Sequence, residues 1–239
     1  MIFKYIFVPS KARATINKNL NLIFILMILS FAVGFGEVLF LVPNDYLQGN
    51  AVKIMYVHVP AAWLALGIYT IMAICSVVYL ISNIVLANEI AKSSSMMGAM
   101  FSFIALFTGS LWGKPIWGSW WVWDARLTSM LILFLFYIGY IVLNKALKEY
   151  PTHKSPAILL IFGLINVPIV KFSVDIWNTL HQPASILKLS GPAIHISMLR
   201  PLIFCIIGCV LYYLYNLCLL LETRFIEQKL LRLTNLHKN

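Results

Sequence analysis

Six apolar runs constrain this chain more than any other feature. They cover about 20–42, 59–82, 96–112, 127–143, 156–171 and 201–221. A helix needs about 20 apolar residues to cross roughly 30 Å of hydrocarbon. Inside lipid the backbone must satisfy its own hydrogen bonds, which favours helices. The pattern predicts an all-α integral membrane protein, a six-transmembrane-helix bundle forming a single membrane domain over 1–239. Only 11% of the residues are charged, against about 25% in a soluble domain. The first run is too long for a signal-peptide core and lacks a small-residue cleavage site. Glu37 near its far end reads as a solvated interfacial acid. Pro168 should kink the fifth run.

Six crossings put both termini on one side of the bilayer. Twelve of the 18 basic residues gather there. The other side holds six: Lys53, Lys114, Arg126, Lys171, Lys188 and Arg200. The positive-inside rule then places both termini in the cytoplasm of a bacterial inner membrane, or in the matrix if the protein is mitochondrial. The net charge of +10 follows from this orientation. It does not point to nucleic acid, because no basic patch with a groove-binding motif is present.

The segment 112–126 joins the third and fourth runs on the outer side. It holds five of the seven tryptophans: Trp112, Trp117, Trp120, Trp121 and Trp123. Read as a helix after Pro115, it sets Trp117, Trp120, Trp121 and Asp124 at i, i+3, i+4 and i+7, on one face. That would make a flat aromatic platform with an acid at its edge, suited to a large planar apolar ligand with polar corners. Tryptophan also anchors helices at interfaces, but an anchoring belt is divided between both surfaces. Asp124 has an ordinary reading too, as a helix cap or a partner of Arg126.

Two histidines fall on the same side. His58 stands at the mouth of the second run, two residues before a proline suited to a first helical turn. His181 lies in the long link 172–200. A neutral imidazole is a good axial ligand for haem iron, and a porphyrin face suits indole stacking. Lys53, Lys114, Arg126 and Lys188 are there to meet propionates, and arginine alone can do so bidentately. His195 shares this side, but nothing around it marks a ligand. His153 and His237 lie on the opposite side and cannot join the site.

Other chemistries are weaker fits. Gly109–Lys114 imitates a phosphate loop but is one residue short between its glycines, and Pro115 replaces the Ser or Thr that would bind magnesium. Cys75, Cys205, Cys209 and Cys218 lie inside apolar runs without a C-x-x-C and read as small hydrophobes. A secondary transporter would want ionisable groups near the midplane.

The segment Trp112–Thr128, WGKPIWGSWWVWDARLT, resembles the tryptophan-rich WWD signature of membrane haem-handling proteins. Tyr56-Val-His58-Val-Pro-Ala-Ala and Trp177-Asn-Thr-Leu-His181-Gln resemble the two flanking histidine segments of the CcmC family of the cytochrome c maturation system. The likeness extends over nearly the whole chain. It implies a protein that is not an enzyme but binds haem b at the outer face. It implies His58 and His181 as axial ligands to the iron, with the WWD segment (112–126) packed around the macrocycle. It implies delivery of haem to a periplasmic haem chaperone, together with the ATPase and membrane subunits of an ABC transporter and a small single-span subunit. Lys53 departs from the arginine expected at its position, keeping the charge without the fork. The alternatives are a haem lyase of the same superfamily, whose chains carry many more spans, and a b-type electron-transfer cytochrome, whose histidines usually sit within the membrane runs.

Overall fold

The computed structural model describes residues 9–147, 153–182, 186, 191 and 193–236. Seven α-helices follow in order: α1 (Pro9–Phe40), α2 (Met55–Ser82), α3 (Val85–Trp117), α4 (Ala125–Ala146), α5 (Ser155–Gly163), α6 (Asn166–Ile176) and α7 (Ile196–Leu236). A 3-10 turn, Asn50–Ile54, leads into α2. Among the described residues there is no strand. Six stretches are long and apolar enough to cross a membrane, and α5 with α6 makes one of them, Ser155–Ile176.

The break inside that stretch falls at Leu164 and Ile165, one turn ahead of Pro168. Proline has no N–H to give the carbonyl four residues back, here that of Leu164. Val167 N–H bonds that carbonyl in its place, at 3.1 Å. Pro168 therefore breaks the crossing rather than merely bending it.

α2 is the centre of the bundle, packed against α3, α5 and α7. Ala65, Tyr69, Met72 and Ala73 on it are fully buried. Small residues bring the neighbours close. Gly98 on α3 faces the ring of Tyr137 from α4, where any side chain would overlap. The Tyr137 hydroxyl donates to the carbonyl of Ala65 at 2.7 Å. α1 lies outermost and packs chiefly along α7. Glu37 and Arg200 join these two helices, Nε to Oε2 at 2.9 Å, so Glu37 is a paired acid and not the solvated one expected. The four cysteines are free thiols, buried or half-buried.

α3 differs most from its sequence reading. Its 33 residues make about 50 Å of helix, well beyond the hydrocarbon thickness. It begins two residues after Asn83, which closes α2 in the left-handed region at φ 51°. The polar stretch around Asn88, Glu89 and Lys92, read as a link, is its first turns. Those turns are helical because their polar groups meet α7: the Ser94 and Tyr213 hydroxyls lie 2.9 Å apart, and Arg224 Nε donates to Ser93 Oγ at 3.1 Å. At the other end α3 carries Trp112 and Trp117 out to the membrane surface.

Candidate functional site

The expected tryptophan platform on one helical face does not form. α3 runs straight through Pro115 to Trp117, where Gly118 at φ 75° turns the chain into the left-handed region. Residues 119–124 are not helical. Asp124 then starts α4, its Oδ1 accepting from Leu127 N at 2.7 Å. Two local signals, a glycine stop and an aspartate start, outweigh the i, i+3, i+4, i+7 spacing.

The five indoles divide accordingly. Trp112 and Trp117 stand on the last turns of α3 and are half-buried. Trp121 turns inward, its Nε1 buried without a hydrogen-bond partner, while its ring meets that of Trp123 edge-on at 5.4 Å. Trp120 and Trp123 are exposed, Trp123 to 77%. Lys114 Nζ donates to Gly118 O at 3.0 Å and lies 5.8 Å from the Trp120 ring centre. Its charge therefore serves the end of α3 first.

Each histidine is set beside one indole of α3. His58 meets Trp112 edge-on, ring centres 5.7 Å apart. His181 meets Trp117 at 4.9 Å. The two imidazoles are close enough to interact electrostatically. His58 is one turn inside α2, not at its mouth, because the 3-10 turn feeds the helix from Met55; Pro60 falls in the second turn.

Hydrogen bonding fixes the tautomer of His58. The Thr108 hydroxyl donates to Ile104 O at 2.6 Å, so towards His58 Nδ1, 3.1 Å away, it can only accept. Nδ1 therefore carries the proton and Nε2 keeps its lone pair. Gly109 gives the ring its room: a methyl there would come within 2.9 Å of Cε1.

His181 is oriented by charge. Its Nδ1 lies 3.6 Å from Asp124 Oδ2, too long for a hydrogen bond but close enough to favour Nδ1–H over Nε2–H. Neither atom has a hydrogen-bond partner in its buried position. Burial pushes the imidazole down to about 4, with the Asp124 carboxylate opposing and Arg126 reinforcing the shift. The ring is thus neutral at physiological pH. In both histidines Nδ1 faces a second side chain, Thr108 for His58 and Asp124 for His181, as in metal sites where a second partner aims the ligand.

The cations are unevenly placed. Arg126 does not pair with Asp124; its Nε donates to Ser173 Oγ at 3.1 Å and its Nη2 to Lys171 O at 3.2 Å. That ties α4 to α6 and leaves Nη1 for a ligand. Lys53 lies in the 3-10 turn ahead of α2 and makes no hydrogen bond or ion pair among the described residues. Lys188 lies outside the described residues. His195 accepts from Ser197 N at 3.3 Å and starts α7.

Sequence reasoning missed Thr108, Gly109, Gln48 and Ser173. Gln48 accepts from Trp112 Nε1 at 2.8 Å. Thr108 and Gly109 form a polar, small pair near the end of an otherwise apolar run, and that was the available signal. Nothing local marks Gln48 or Ser173, whose partners are 64 and 47 residues away.

A family profile described as "Heme exporter protein C" matches residues 2–235. The heme exporter protein C of Bradyrhizobium diazoefficiens is 49% identical over 175 residues, covering 72% of this chain and 66% of the relative. The protein of that name in Escherichia coli K12 is 43% identical over 199 residues, 80% and 78% of the two chains. A ccmC-like mitochondrial protein of cytochrome c biosynthesis from Marchantia polymorpha is 47% identical over 182 residues, 76% of each chain.

Proposed function

This chain belongs to the heme exporter protein C family, and from that premise we propose that it holds haem b as cargo at its Trp-rich end and passes it on for cytochrome c maturation. The observation that carries the reading is the matched pair of imidazoles, each beside an indole of α3 and each with Nδ1 set against a second side chain, which would turn Nε2 to a ligand. Two such nitrogens suit the two axial positions of an iron porphyrin.

On this reading His58 and His181 bind the iron. Trp112 and Trp117 pack beside the ligand imidazoles. Trp121 contributes its unpartnered N–H, and Arg126 and Lys53 face the propionates. Trp120 and Trp123, exposed at the rim, are the surface a recipient meets. The haem remains intact, so the chain acts as a carrier and not as a catalyst. The recipient is a periplasmic haem chaperone. The membrane and ATPase subunits of an ABC transporter and a small single-span subunit complete the assembly. Both termini face the cytoplasm, or the matrix in a mitochondrion, in line with the charge asymmetry. The whole chain acts as one membrane domain.

The test is the absorption spectrum of the detergent-solubilised protein with haem, beside His58→Ala and His181→Ala. A low-spin, two-histidine spectrum in the wild type that is lost in both variants is expected. No haem binding by the wild type, or an unchanged spectrum in either variant, overturns the site.

A further inference from the structure

The end opposite the tryptophans holds a cavity of about 400 Å³ between α2, α3, α4, α5 and α7. We propose that it seats the phosphate of an anionic phospholipid from the leaflet on that side. Three cations line it: Lys92 from α3, Lys145 from α4 and Arg224 from α7. One buried carboxylate, Glu89, lies between two of them, 3.6 Å from Lys92 Nζ and 3.6 Å from Arg224 Nη1. Lys145 makes no hydrogen bond or ion pair among the described residues. Among the described residues, three positive charges at the cavity face one carboxylate, Glu89.

The rest of the lining selects the kind of anion. Asn88 and Asn144 bring amides to the lining, Asn144 also donating to Tyr140 O at 2.9 Å, while Met96 and Leu220 border the cavity and are exposed on the outside of the bundle. A phosphodiester over acyl chains matches that order of polar head and apolar edge. Basic pockets between membrane helices bind acidic headgroups in this way. With Nε on Ser93 and Nη1 beside Glu89, Arg224 has Nη2 for a phosphate, where a lysine supplies only a point charge. The first turn of α5 also lines the cavity, and its dipole adds to the positive field.

The test uses the full chain in detergent, with lipid adducts counted by native mass spectrometry after addition of phosphatidylglycerol or phosphatidylcholine. The wild type should retain phosphatidylglycerol in clear excess. Lys145→Gln leaves the Glu89 pairs untouched and should lower that retention about fivefold, with a similar further loss on adding Lys92→Gln. Circular dichroism should report unchanged helix content in both. Equal retention of the two lipids, or phosphatidylglycerol retention unmoved by Lys145→Gln, overturns the site. Glycerol 3-phosphate displacing the lipid at equal concentration overturns the lipid as occupant and makes a soluble phosphoester the ligand. The haem site lies at the other end, so these outcomes do not depend on it.

Discussion

His58 stands on α2, the most enclosed helix of the bundle, and its ring fits a gap left by Gly109 and Thr108 on α3. His181 stands in the chain between α6 and α7, steered by one carboxylate at 3.6 Å. The first imidazole is set by the same helix packing that makes the fold. The second is held outside the helices, by one carboxylate and the ring of Trp117. A site built this way has one fixed wall and one that a ligand, or a receiving partner, can displace. Retention and release then become properties of different halves of the site.

The difference can be broken most severely from the fixed side. Gly109→Ala should push the imidazole off its seat and weaken haem retention by about 100-fold, near the upper end of losses from misaimed metal ligands. Haem titration followed at the Soret band would measure it; retention within a few-fold of wild type would mean that the His58 seat is not fixed. Asp124→Asn tests the other wall. Asparagine caps a helix as well as aspartate, so α4 should persist while haem affinity falls about tenfold and dissociation quickens. Thr108→Val should cost less, about threefold, because packing still holds His58 when one neutral hydrogen bond is gone. A larger loss for Thr108→Val than for Asp124→Asn would reverse the assignment of fixed and displaceable sides.

The smallest effect is on titration. Above the ordinary value of 6.5 His181 is neutral both folded and unfolded. As the pH falls from 6.5 towards about 4, an unfolded chain takes up a proton that the buried ring resists. The stability attached to the neutral ring is therefore full above 6.5 and is lost over that window. Histidine NMR of the haem-free protein should show the His181 imidazole still neutral at pH 5.5. In Asp124→Asn, which loses an opposing charge, it should titrate lower still.

Much of the bundle was legible because lipid simplifies the code: apolar length alone located the six crossings. The ends of helices were less legible. Asn83 stopped α2 and let α3 begin at once, so a polar stretch that looked like a link became helix against Tyr213 and Arg224. The tryptophan segment misled in the opposite sense. Its helical spacing was real, yet Gly118 and Asp124 cut it before the spacing could act. The histidines and tryptophans announced themselves by type and clustering. Thr108, Gln48 and Ser173 did not, since each matters only through a partner on another segment.

Asp124 has one oxygen on Leu127 N–H and the other facing His181. On the proposed reading, the start of α4 and the aim of an iron ligand share one side chain. Descendants that drift to asparagine here would still fold, insert and survive every check on stability. If His181 holds the haem as proposed, the loss would show in cytochrome maturation. On the proposed reading, selection at this position would act through the cargo, since asparagine caps a helix as well as aspartate.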